Sequence, residues 1–172
     1  MIVRMDEENL NSNLRYRRLT GDTTLRPLLV GPSQSTSVAL SPDGRWLAYA
    51  SNEGGTRYEL YVAPFPAMAP KRLVSRGGGV APRWSRNGRE LFFDSDGNLM
   101  VVDVLPGGAF AASNPRVLFP ITGYLRAQNR QQYDVAPDGR FIMIREAVSD
   151  RAGEVVYVEN FAAEIVAKVR RR

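Results

Sequence analysis

The 172-residue sequence predicts an all-β chain: a β-propeller segment of about three four-stranded blades, followed by a short C-terminal helix. Three observations carry that prediction. A turn motif occurs three times, as Leu40-Ser41-Pro42-Asp43-Gly44-Arg45, Trp84-Ser85-Arg86-Asn87-Gly88-Arg89 and Val135-Ala136-Pro137-Asp138-Gly139-Arg140. Each copy runs into a stretch apolar at successive positions, Trp46 to Ala50, Leu91 to Phe93 and Phe141 to Ile144. A sheet with one wet face alternates instead, so these strands are expected to be covered on both faces. Finally, Asp43, Asn87 and Asp138 stand 44 and then 51 residues apart, a period that suits one propeller blade.

The elements follow in order. Residues 1–12 turn acidic after a brief apolar start and are expected to be disordered. Residues 13–30 form a blade remnant, with Leu14 to Leu19 and Leu25 to Val30 as outer strands. The blade at 37–75 turns at Asp43-Gly44 and again between Asn52 and Thr56, with strands at Tyr58 to Val62 and Lys71 to Val74. In the blade at 80–118, Pro82 requires an edge strand, as the channel-lining strand of a blade is. Its two turns are Asn87-Gly88 and Asp96-Gly97, and Arg116 to Phe119 closes it. The blade at 131–158 has its turn at Asp138-Gly139 and a third strand at Val155 to Val158. Each Asp-Gly or Asn-Gly pair supplies the positive φ angles of a tight hairpin turn, so Asp43, Gly44, Asn87, Gly88, Asp138 and Gly139 are structural. In 160–172, Phe161, Ile165 and Val169 recur at helical spacing, a stripe expected to pack on the propeller flank, and Arg170 to Arg172 form a solvated basic tail.

Composition narrows the chemistry. With 44% apolar and 24% charged residues the chain is of ordinary globular type. It has no His and no Cys, which removes Ser-His-Asp and Cys-His relays, the usual zinc sites and any disulfide framework from these residues. No cofactor is expected. The net charge of +5 is spread along the chain, with cations clustering only at Arg170 to Arg172, so no nucleic-acid partner is expected. The apolar runs fall far short of the ~20 residues of a membrane helix, and no export signal precedes them, so no membrane insertion is expected. Asp94-Ser95-Asp96-Gly97-Asn98 lacks the order of a calcium loop and reads as a hairpin turn. Gly77-Gly78-Gly79 leads into a strand and reads as an inter-blade loop, not a phosphate cradle. Asp134 and Asp138 are close enough in sequence to be weighed as a paired-carboxylate site, but Asp138 belongs to the repeated turn.

From Ser41 to Pro66, from Pro82 to Val104 and more loosely from Tyr133 to Val158, the sequence resembles the TolB-type β-propeller repeat. The run from Pro27-Leu28-Leu29 through Trp84-Ser85-Arg86 resembles, within that family, the C-terminal propellers of bacterial serine/threonine protein kinases, although no kinase motif is present. The resemblance implies a non-catalytic protein-interaction or sensor module, extracytoplasmic (periplasmic) if it belongs to a longer polypeptide. Two alternatives stand beside it: the propeller part of a larger enzyme, prolyl-peptidase-like or kinase-linked, and a truncated reading frame without independent function.

Propeller geometry places a ligand face where the outer strand of one blade crosses to the inner strand of the next. Those loops are Gly31 to Thr36, Arg76 to Ala81 and Pro120 to Gln132. The partner-binding candidates are Tyr124, Arg126, Arg130 and Gln132 in the third loop, with Arg83 on an inner strand. A protein partner is expected, and open blade edges point to self-association as well.

Overall fold

A computed structural model describes residues 2–6, 12–126 and 132–145, all of them strands, turns and loops. The first sheet is the meander β1 (Ile2–Asp6), β2 (Ser12–Tyr16) and β3 (Arg26–Leu29). Next comes a four-stranded antiparallel sheet of β4 (Ser35–Leu40), β5 (Trp46–Ser51), β6 (Glu59–Pro64) and β7 (Arg72–Leu73). The third sheet orders β8 (Val80–Trp84), β9 (Glu90–Ser95) and β10 (Asn98–Leu105). Its outer position is split between β11 (Ala111–Ala112), paired to the end of β10, and β12 (Arg116–Pro120), paired to its beginning. Last is the pair β13 (Tyr133–Val135) and β14 (Phe141–Met143).

The apolar runs are covered from two sides because alternate residues pack into different clusters. On β9, Leu91 and Phe93 join Ala48, Leu60, Val62 and Trp84 between the second and third sheets. Phe92, between them, faces the other way, with Leu99, Val101, Tyr133 and Met143. On β5, Leu47 and Tyr49 point toward the first sheet while Ala48 points toward the third. Successive sheets are thus stacked face to face like blades, and a period of two in each strand builds two separate cores. The chain has the expected all-β propeller architecture.

The repeated turn is more specific than an Asp-Gly pair. In the first copy Gly44 N–H donates to Ser41 O (2.9 Å), Arg45 N–H to Asp43 Oδ1 (3.0 Å) and Trp46 N–H to Ser41 Oγ (2.9 Å). The second copy repeats this with Gly88 to Ser85 O, Arg89 to Asn87 Oδ1 and Glu90 to Ser85 Oγ, each 2.9 Å. Only the glycines take positive φ here, 72°, 70° and 83° at Gly44, Gly88 and Gly139. The Asp or Asn instead keeps an ordinary backbone and caps the turn with its side chain. A two-residue hairpin turn with both φ positive occurs at Asp96 (47°) and Gly97 (79°).

Two expectations are corrected. Residues 2–6, expected to be disordered, form β1 along β2 in a register that pairs Ile2 with Tyr16 and Asp6 with Ser12. The short run Ile2-Val3 has strand-forming, β-branched residues, and β2 offers it a free edge. In the third copy, Ile142 and Ile144 are exposed, so Phe141 to Ile144 is not covered on both faces by described residues. The predicted strand at Val155 to Val158 and the helix at 160–172 lie outside the described residues. Pro82 behaves as expected, on the edge strand β8. There a bulge between Val80 and Arg83 is shaped by Ala81 (φ 53°), and the same bulge recurs in β4 at Ser37 (φ 50°).

Candidate functional site

At one end of the strands the crossing loops and the β5–β6 and β9–β10 turns meet around a cavity of about 510 Å³. The Arg76 to Ala81 loop forms one wall. Gly77 (φ 96°) and Gly78 (φ 117°) turn it so that both N–H groups point at Glu59 Oε1, 3.1 and 3.0 Å away. The buried Ser75 hydroxyl donates to Glu59 Oε2 and accepts the Leu60 N–H at 2.8 Å. The glycine-rich loop is therefore an anion cradle already filled by the chain's own carboxylate, which sews the loop to the start of β6. Arg57 lies over this wall, with Nη1 3.3 Å from Gly77 O. Tyr58 beside it donates its hydroxyl to Gln34 Oε1 of the preceding crossing loop (2.5 Å).

The opposite wall is an ion pair. Arg126 Nε and Nη2 donate to the two carboxylate oxygens of Asp94, 2.8 Å each. The Asp94 side chain is 6% exposed and that of Arg126 41%, so a buried charge at the end of an apolar strand is neutralised by a cation from the next crossing loop. The bond to Asp94 raises the guanidinium pKa still further. Ile121 N–H to Gly97 O (2.8 Å) docks this loop on the hairpin turn, and Leu125 N–H to Ile144 O (2.8 Å) ties its far end to the last strand.

The candidates read from sequence separate in space. Arg126 lines the cavity. Tyr124 is bridged to Arg145 and packs against the apolar cluster that holds Phe92 and Phe119. Arg83 sits on the edge strand β8, where its Nε donates to Tyr133 O (3.3 Å) and pairs with Asp134 Oδ1 (3.4 Å). Gln132 is half-buried just before β13, and Arg130 lies outside the described residues. The six turn residues lie at the opposite ends of the strands. Sequence reasoning missed Asp94, Glu59 and Tyr58. The available signal was a carboxylate directly after Leu91-Phe92-Phe93, where a buried acid needs a partner.

Among the described residues no group of His, Cys, Asp and Glu could hold a metal, and no helix is long and apolar enough to cross a membrane.

No family model matches the chain. By sequence, 91 residues are 31% identical to the uncharacterized peptidase YuxL of Bacillus subtilis (strain 168), over 52% of this chain and 14% of that protein. By structure, the chain is similar to one described as TolB from Agrobacterium tumefaciens, with a TM-score of 0.58 and 19% identity, over 88% of this chain and 52% of that one. It is also similar to a puromycin-hydrolyzing peptidase of Mycobacterium tuberculosis, with a TM-score of 0.52 and 14% identity, over 91% of this chain and 35% of that one. The chain thus spans about half of the TolB chain and a small part of its sequence relative. These comparisons do not show the kinase-linked form of the resemblance. They correct the expectation of a module that is no enzyme: a sequence relative and a structural neighbour are both described as peptidases, which points, distantly, toward enzymatic function. The fold they show is a TolB-like β-propeller segment.

Proposed function

We propose that the chain is a TolB-like propeller module that binds polypeptide at the loop face around the Arg126–Asp94 pair. The observation that supports this is the cavity itself, about 510 Å³, with Arg57, Tyr58 and Arg126 on walls held in place by Glu59 and Asp94. Such preset Arg and Tyr side chains lose little freedom on binding. Tyr124, Gln132 and Arg83 are the further candidate contacts among the described residues, and Arg130, in the same stretch of sequence, is a candidate on its residue type alone. An extracytoplasmic compartment fits this module as part of a longer polypeptide.

The test is selection of a displayed peptide library on the purified chain. Enriched peptides should lose about tenfold or more in affinity on Arg57→Glu, a change of at least 1.4 kcal/mol. Unchanged affinity in that variant overturns the reading.

A second reading is favoured by the 31% identity to a peptidase: the propeller part of a larger peptidase, admitting substrate peptides through this face. Without His in these residues, a Ser-His-Asp relay would come from elsewhere in such an enzyme. An in-frame Ser-Asp-His domain downstream of the chain supports that reading. A kinase domain upstream supports a kinase-linked sensor instead.

A further inference from the structure

We propose that the rim of repeated turns, at the opposite ends of the strands from the loop face, binds an extended acidic peptide through two acidic residues three positions apart. The central groove lies between the first two turns. Pro42 of one stands 3.7 Å from where a Cβ on Gly88 of the other would be, and the two turns with the Leu105-Pro106-Gly107 segment enclose about 840 Å³. Its floor is apolar. Trp46, half-buried, packs on Phe110 at 5.5 Å between centroids, and Leu105 is 48% exposed.

The charge at this groove is cationic. The Arg45 guanidinium lies over the Trp46 ring, 5.5 Å from its centroid, with Nη2 3.4 Å from Gly108 O. Arg89 is exposed, and no ion pair or side-chain hydrogen bond holds its guanidinium among the described residues. The facing carboxylate, Asp43, already accepts from the Ser41 hydroxyl and the Arg45 N–H. The groove therefore offers two guanidinium groups over an aromatic floor, a surface matched to a carboxylate side chain flanked by an apolar one.

The cationic character extends to one side along the rim. The neighbouring groove before it holds Arg17 and Arg18, with Arg26 paired to Asp22 at 2.6 Å, around Tyr16 and Phe65, with about 430 Å³ of space. The one after it sets Arg86 against Glu90 and Asp138, so its lining carries no cationic excess. Stacked sheets lie about 10 Å apart and an extended chain advances about 3.3 Å per residue, so one groove corresponds to about three peptide residues. A small anion would use neither the aromatic floor nor this repeat.

The test uses the whole chain and a fluorescein-labelled hexapeptide of two Glu-Leu-Ser units, read by anisotropy at low and physiological salt. Binding is expected, weaker at higher salt. Arg89→Glu and Arg89→Gln should each weaken it, the former about tenfold or more, with melting temperature unchanged. Arg57→Glu, at the opposite end of the strands, should leave it unaltered, which separates this surface from the loop face. Absence of binding, equal binding of a Gln-Leu-Ser peptide, equal binding by the Arg89 variants, or equal competition by a sugar polyanion such as heparin overturns the proposal.

Discussion

Arg126 and Asp94 meet through two hydrogen bonds of 2.8 Å across 32 residues of chain, and the carboxylate is almost fully buried while the guanidinium reaches solvent. The pair does two things: it docks the crossing loop on the β9–β10 turn, and it fixes a cation at the cavity wall. Arg126→Ala would strand a buried charge. The cost should be about 1–3 kcal/mol, below that of a fully buried pair because Arg126 remains partly exposed. At 2–4 °C per kcal/mol for a chain of this size, thermal denaturation should show a fall of about 2–12 °C. Arg126→Ala with Asp94→Ala should recover part of that loss. A melting temperature unmoved by Arg126→Ala would show that the pair is not structural.

This pair was not legible in the sequence, where Arg126 reads as a partner-binding loop residue and Asp94 as part of a hairpin turn. Its partner is chosen by the docking of a loop, and no periodicity records that. The blades were legible because the turn writes its requirements locally: Ser41 and Ser85 each close their own hairpin within five residues, and the glycine follows the capping Asp or Asn directly. In the third copy Ala136 stands at the serine position, so the hydroxyl bond to the returning strand is missing, and the copy is also the loosest of the three in sequence. The two-sided cores were legible from Leu91-Phe92-Phe93. The strand at Ile2–Asp6 was not, because its pairing depends on an edge supplied by β2.

The turn glycines separate two kinds of constraint. At Gly44 and Gly139 a Cβ would meet nothing within 4 Å, yet φ is 72° and 83°. Their replacement by Val should cost about 1–3 kcal/mol through backbone strain alone. Gly79 has no such φ, but a Cβ there would lie 2.7 Å from Ser75 Cβ and 2.9 Å from Leu60 Cβ, in the packed seam that holds Glu59. Gly79→Ala should therefore destabilise more than Gly44→Ala, while Gly31→Ala, in open space with ordinary φ, should be near neutral. Denaturant unfolding of the three alanine variants checks the order.

Acid sensitivity should follow the chemistry of the cap. The Ser41 hydroxyl and the Arg45 N–H hold the Asp43 carboxyl below its ordinary value. A group whose pKa is lowered on folding stabilises above its unfolded value, about 3.9, and loses that contribution as pH falls through the folded value. Asn87 accepts equivalent bonds without titrating. Asn87→Asp should thus make the chain more sensitive to acid as pH falls below about 4, and Asp43→Asn less so. Melting temperatures followed from pH 7 downward test both signs.

Two buried tyrosines should respond oppositely to loss of the hydroxyl. Tyr133 donates its O–H to Ala81 O at 2.8 Å, tying β13 to the bulge of β8. Tyr49, fully buried and stacked on Tyr61 at 5.8 Å, has a hydroxyl without a hydrogen-bond partner among the described residues. Tyr133→Phe removes a made bond and leaves a buried carbonyl short of a donor, a loss of about 1 kcal/mol or more. Tyr49→Phe removes only an unsatisfied group and should stabilise by a comparable amount. Both phenols have their pKa raised by burial. Because the raised value belongs to the folded state, their contribution is complete below the unfolded value near 10 and falls as pH climbs above it. Each Phe variant should therefore be less sensitive to alkali than the parent, although one starts less stable and the other more. Urea unfolding at pH 8 and pH 11 would resolve the two effects, and a destabilising Tyr49→Phe would show that its hydroxyl has a partner after all.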